Sequence, residues 1–252
     1  MSKLEVKNVS AGYGSTMVVD GADFVVESGE VVVILGRNGS GKSTLLKAII
    51  GDVPLMDGEI LFDGHSLSNM DRRRRARKIC MVEQDLPSCS MTVREYVSMG
   101  LAPRRSLFAL SERDEERSLV NNSIETVGLT NESLRRVDEL SGGQRRMCVI
   151  ARTLVQNSDV ILMDEPTANL DVPNQKSVIN MVRMLASNGH IVICVVHDVN
   201  EALRLGTRFV LLHNGRQIYD GPADERFAQM LSVSLDSEID IAEVKGRRVA
   251  LY

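Results

Sequence analysis

The stretch VVVILGRNGSGKST, residues 31–44, decides the fold. Val31, Val32, Val33, Ile34 and Leu35 make an unbroken apolar run, which is expected of a strand buried on both faces. GRNGSGKS, residues 36–43, then fits the pattern G-x-x-x-x-G-K-[ST], and KSTLLKAIIG has helical length with a glycine stop. In a strand, loop and helix of this kind, backbone N–H groups curl around phosphate, Lys42 reaches the β- and γ-phosphates and the Ser43 hydroxyl can ligand Mg²⁺. The pattern arises by chance in roughly one chain in a hundred of this length. Gly36, Arg37, Asn38, Gly39, Ser40, Gly41, Lys42, Ser43 and Thr44 are therefore the candidate nucleotide contacts.

Outward from this stretch the texture differs on the two sides. The preceding residues alternate apolar and polar, as in KLEVKNVS and MVVDGADFVVESGE, and predict antiparallel strands joined by glycine turns. Downstream, VILMD (160–164), HIVICVVH (190–197) and RFVLLHNG (208–215) repeat the buried-strand texture, with helical segments such as NQKSVINMVRMLAS between them. This predicts an α/β core around a mainly parallel sheet. Residues 86–156 read as mostly helical and are expected to form a separate lobe. The tail SEIDIAEVKGRRVALY alternates weakly; a terminal hairpin around Gly246 and a frayed end fit it equally.

Two further motifs carry chemistry. In VILMDEP, the end of a buried strand delivers Asp164 to a metal's water shell, and Glu165 is placed to polarise an attacking water. In ELSGGQRR, residues 139–146, a serine and two glycines open a helix, where free N–H groups and the positive dipole end favour an anion. A helix start with no lysine is a weak phosphate site alone, yet it can complete one already neutralised by Lys42 and Mg²⁺.

With LSGGQ just upstream of VILMDEPTANLD and His197 ending a later strand in VVHD, the chain resembles the ATP-binding cassette (ABC) ATPases along nearly its whole length. The resemblance implies an ABC-type P-loop NTPase, with a mainly parallel core sheet, an N-terminal antiparallel β subdomain and an inserted helical subdomain. It implies one ATPase domain over 1–252, with a core of 1–85 and 157–231, a helical signature lobe of 86–156 and a tail of 232–252. It also implies a head-to-tail homodimer in which Ser141, Gly142, Gly143 and Gln144 of one chain cap the γ-phosphate of ATP held by the other.

Other roles follow from the resemblance position by position. Tyr13 stands where an aromatic residue stacks on adenine. Gln84 stands where a glutamine reaches Mg²⁺ and the attacking water, so the implied metal ligands are Ser43, Gln84 and, through water, Asp164. Asp171 matches an aspartate that crosses the dimer interface, and His197 a histidine contacting the γ-phosphate. The chain departs from the family pattern at Glu83, where many relatives have proline, and at Arg146 and Met147, where they commonly show Gln-Arg. The segments around GLAPRRSLF, residues 100–108, and VVHDVNEALRLGTRFVLLHNGRQIYDGPADE are similar to importer cassettes for iron-siderophore, haem and cobalamin. They imply two permease subunits, an external substrate-binding protein and a place on the cytoplasmic face of the membrane. A cassette of another transporter class and an iron-sulfur cluster assembly ATPase are the alternatives.

Composition excludes other classes. A net charge of -4 argues against bulk nucleic-acid binding, and RRRRARK, residues 72–78, reads as a solvated helical face in a chain with only 4% aromatic residues. No apolar run approaches the ~18 residues of a membrane span, and no signal peptide is read at the start, so a cytoplasmic protein is expected. Cys80, Cys89, Cys148 and Cys194 are scattered with no CxxC pair and read as buried thiols.

Overall fold

The alternating start of the chain becomes two long antiparallel strands, β1 (Lys3–Tyr13) and β2 (Thr16–Glu27). The structure is a computed structural model and describes residues 1–105 and 114–252. The later part of GLAPRRSLF, residues 106–108, lies outside the described residues.

β3 (Val31–Leu35) follows and is buried throughout. Successive side chains of a strand point to opposite faces. Val31, Val33 and Leu35 accordingly join one apolar cluster, and Val32 and Ile34 a second on the other side of the sheet. This is the physical reason the run is continuous rather than alternating.

The chain continues through α1 (Lys42–Ile50), β4 (Leu55–Phe62), β5 (His65–Ser66), α2 (Arg72–Lys78) and β6 (Ile79–Val82). Then come α3 (Val93–Ser98), α4 (Asp114–Thr126) and α5 (Gly142–Gln156), whose Val97, Val120, Ile124 and Ile150 are buried in the first cluster. β7 (Val160–Asp164), α6 (Val172–Ser187), β8 (Ile191–Val195), α7 (Val199–Leu205), β9 (Arg208–His213), β10 (Arg216–Gly221) and α8 (Glu225–Leu235) complete the core.

Among the described residues these strands form one ten-stranded sheet in the order β5-β4-β1-β2-β10-β9-β3-β8-β7-β6. From β9 to β6 every pairing is parallel, whereas β5, β4, β1 and β2 are antiparallel. The two regions meet where β10 runs parallel to β2, at Arg216 opposite Asp20. The fold is the expected α/β P-loop architecture, with antiparallel N-terminal strands.

Both readings of the C-terminal tail have an outcome. β11 (Asp240–Val244) and β12 (Arg247–Leu251) form a hairpin turning at Lys245 and Gly246, both at positive φ. Asn200 at the start of α7 holds the hairpin: its Oδ1 accepts from the Ala250 N–H at 2.8 Å.

The solvated-face reading of RRRRARK holds for part of α2. Arg72 and Arg74 are exposed. Arg73 and Arg77, however, both donate to the Pro103 carbonyl, at 3.0 and 2.7 Å, and Arg75 donates to that of Ile50 at 3.4 Å. Successive arginines spread around a helix, so some must face neighbouring segments. Of the cysteines, Cys80, Cys148 and Cys194 are buried free thiols, and burial pushes Cys80 up to about 12; Cys89 is half-buried.

α8 is fastened by aromatic packing. Phe227 is fully buried, with ring centroids 4.7 Å from Phe209 and 5.6 Å from Tyr219. Phe227→Ala is expected to cost about 3–5 kcal/mol of unfolding free energy, read from urea melts. A loss below about 1 kcal/mol would place α8 outside the cooperative unit.

Candidate functional site

In a parallel sheet, ligands are held at the carboxyl ends of the strands, where the loops emerge. Neighbouring strands β3, β8, β7 and β6 here deliver, at those ends, the phosphate loop, His197, Asp164 with Glu165, and Gln84.

The loop after β3 needs glycine at Gly36. Its φ is 152°, and an added Cβ would lie 2.3 Å from the Leu212 carbonyl oxygen and 2.6 Å from Ser40 Oγ. Gly41, at φ 99°, opens α1. Lys42 is buried and folds back over the loop, its Nζ donating to the Gly36 and Arg37 carbonyls at 2.7 and 2.9 Å. Burial pushes its pKa down, opposed by the charges of Glu165 and Asp164. The ammonium is thus held at the mouth of a cradle of backbone amides, where a phosphate can exchange for carbonyl partners. Arg37 turns its side chain outward to pair with Asp236. Asn38 and Gly39 are exposed at the loop's tip, and Ser43 and Thr44 lie in the first turn of α1.

Asp164 ends β7 and is buried; that burial raises its pKa, opposed by a hydrogen bond from the Ser43 hydroxyl. Its Oδ1 has no hydrogen-bond partner among the described residues. An orphaned carboxylate oxygen beside a serine hydroxyl suits a hard, oxygen-seeking cation such as Mg²⁺. Among the described residues no group of three or more His, Cys, Asp and Glu could hold a metal. A cation here would therefore need phosphate oxygens to complete its shell.

Glu165 sits at φ 48°, a conformation rare outside glycine and asparagine, with its N–H on the Val195 carbonyl at 2.9 Å. Such strain is characteristic of functional positions. Gln84 Nε2 donates to Glu165 Oε2 at 2.8 Å, and His197 Nε2 touches Oε1. The Glu165 side chain is only 15% exposed. A carboxylate so oriented can take a proton from water.

The structure brings Lys42, Ser43, Asp164, Glu165, Gln84 and His197, with the rest of residues 36–44, to the carboxyl ends of neighbouring strands, while Ser141, Gly142, Gly143 and Gln144 stand at the start of α5. Ser141 caps α5: its Oγ accepts from the Gln144 N–H at 3.3 Å, and Gln144 Oε1 accepts from the Ser141 N–H at 3.1 Å. Ser141 and Gly142 are exposed, and space for a Cβ is open at Gly142, whereas at Gly143 it would meet Asn174. Among the described residues no hydrogen bond or ion pair joins residues 141–144 to 36–44. Asp171 caps α6, its Oδ1 accepting from the Asn174 N–H at 3.0 Å. Tyr13 is 52% exposed beside the turn into β2, whose Val18 and Val19 abut Gly41.

One residue was missed as part of the site. Arg146 is buried, and its guanidinium donates to the carbonyls of Glu83 at 2.7 Å, Gln84 at 2.9 Å and Glu165 at 3.5 Å. The signal was present: Arg146, Ile150 and Thr153, at i, i+4 and i+7, share the buried face of α5. An arginine there needs carbonyl or carboxylate partners.

Three comparisons bear on this arrangement. A family model described as ABC transporter matches residues 19–168. The chain is 33% identical to the petrobactin import ATP-binding protein FpuD of Bacillus anthracis, over 98% of this chain and 95% of that one. It is 36% identical to the hemin import ATP-binding protein HmuV of Streptomyces coelicolor, covering 90% and 81%. Among solved structures it is similar to an inward-facing transporter described as of the metal-chelate ABC type, with TM-score 0.84, 26% identity and coverage of 100% and 98%.

Proposed function

From the premise that this chain belongs to the ABC transporter family, as an ATP-hydrolysing subunit, we propose that it powers import of a metal chelate of the siderophore or haem class through a separate permease. The observation that carries the hydrolytic part of this is the meeting of Gln84 and His197 on the Glu165 carboxylate, beside Asp164 and Lys42. The petrobactin and hemin names of relatives that match 98% and 90% of this chain support the cargo class.

In this reading the amides of residues 36–44 and Lys42 hold the phosphates of ATP, and Tyr13 stacks on the adenine. Ser43, Gln84 and, through water, Asp164 would hold Mg²⁺. When bound, Mg²⁺ supplies charge neutralisation at the β- and γ-phosphates. Glu165 takes the proton of the attacking water, Gln84 fixes the carboxylate's direction and His197 contacts the γ-phosphate. Ser141, Gly142, Gly143 and Gln144 act on ATP bound by a second copy, with Asp171 at that interface. Residues 1–85 and 157–231 act as the nucleotide core, 86–156 as the signature lobe and 232–252 as the tail.

No helix among the described residues is long and apolar enough to cross a membrane. By its family resemblance we place the chain on the cytoplasmic face, as a homodimer on two permease subunits served by an external binding protein. Purification from native membranes in mild detergent tests it. A stoichiometric polytopic permease is expected; cytosolic scaffold proteins with no permease would overturn the transport reading in favour of cluster assembly.

A further inference from the structure

Arg146 has no role in the function just described, yet it is among the largest fully buried side chains of the protein. Its three carbonyl partners belong to the two loops whose side chains meet at the hydrolytic carboxylate. Gln84 and Glu165 are joined twice: directly, by their side chains, and through their backbones, by one guanidinium. Glu165 is also the residue whose left-handed backbone has to be held against its preference. The planar fork of an arginine can span several carbonyls at fixed angles, which neither an ammonium nor an amide can do.

The anchor of that fork is α5. Its start, at Ser141, lies five residues before Arg146, about 7.5 Å along the axis. One rigid helix thus carries an exposed, anion-favouring start at one end of this interval and the clamp on the Gln84 and Glu165 backbones at the other.

We propose that Arg146 is a positioning residue for hydrolysis: it locks the Gln84 and Glu165 loops in the register that aims the Glu165 carboxylate, and ties that register to the start of α5. This rests on the reading of Glu165 as proton acceptor.

Kinetics of the full chain test it. Arg146→Met removes every hydrogen bond at similar length, whereas Arg146→Lys keeps a charge that can reach fewer carbonyls. Because the loops would shift while the phosphate cradle stays, kcat is expected to fall about 10- to 100-fold in Arg146→Met with little change in the KM for ATP. Arg146→Lys is expected to lie between Met and wild type. A purely structural role would instead lower the fraction of protein that binds nucleotide and leave kcat per binding site intact. Wild-type kcat per site in Arg146→Met overturns the proposal. Should that variant fail to fold, wild-type kcat in Arg146→Lys overturns it equally, and a reduced kcat at unchanged KM supports it. Glu165→Gln is assayed alongside: if it too turns over at the wild-type rate, the reading of Glu165 has failed. If it is inactive while the Arg146 variants are not, only the clamp has failed.

Discussion

Glu165→Gln is expected to leave ATP binding intact and to lower turnover about 10²- to 10⁴-fold, the range for loss of a general base. The substitution is close to isosteric, so a large effect can be assigned to chemistry. The amide oxygen can still accept from Gln84 Nε2, which now reaches a carboxylate oxygen at 2.8 Å, and the amide nitrogen can face His197. The left-handed backbone, tied to Val195 by its N–H, need not move. What is lost is an oxygen able to take a proton. Steady-state hydrolysis of ATP by the purified chain, with nucleotide affinity measured on the same samples, separates the two effects. A rate within about threefold of wild type would mean that the proton goes elsewhere, since loss of a general base costs at least about 10². A matched loss of affinity would mean that the change has disturbed the phosphate cradle instead.

Much of this site was legible because its determinants are local. The spacing of Gly36, Gly41 and Lys42 encodes a loop whose positive φ values and close approach to Leu212 admit little but glycine. The apolar runs of β3, β7 and β8 are buried on both faces and so read as strands without tertiary information. Ser141 with Gln144 is a capping box, a contact between neighbours in sequence. What escaped is non-local. That β10 would join the antiparallel strands to the parallel ones depends on a pairing between Arg216 and Asp20, far apart in the chain. The placing of Arg73 and Arg77 on Pro103 depends on how the helical segment lies against α2. Arg146 was legible as an anomaly, a charge on an apolar stripe, and its partners were not, because Glu83 and Gln84 reach it only once β6 lies beside β7.

The exposed start of α5 carries the second large effect. Gly142 and Gly143 occupy the first turn, where N–H groups lack intrahelical partners, while the N–H groups of Ser141 and Gln144 are taken by the capping box. What remains is a small set of donors with the positive end of a helix dipole behind it and no lysine in residues 139–146, a weak site for a free phosphate. Presented to a phosphate already neutralised by another chain's Lys42, the same donors would become the last contacts of a closed site. ATP should therefore join two copies of this chain, most visibly in Glu165→Gln, where the bound nucleotide survives. On size-exclusion, that variant is expected to shift from monomer to dimer with ATP, and Ser141→Arg added to it is expected to abolish the shift. Loss of the cap costs only about 1 kcal/mol, so the added substitution should leave the chain folded; the long side chain acts by occupying the space a partner's phosphate must enter. A dimer indifferent to Ser141 would sink the shared site. Mixing supplies the positive control, because a head-to-tail pair has two composite sites. A Lys42→Ala chain and a Ser141→Arg chain, each unable to dimerise alone, can together build one intact site from the lysine of one and the helix start of the other. ATP-dependent association of that mixture, absent from either chain alone, is the outcome that only a site divided between two copies can give.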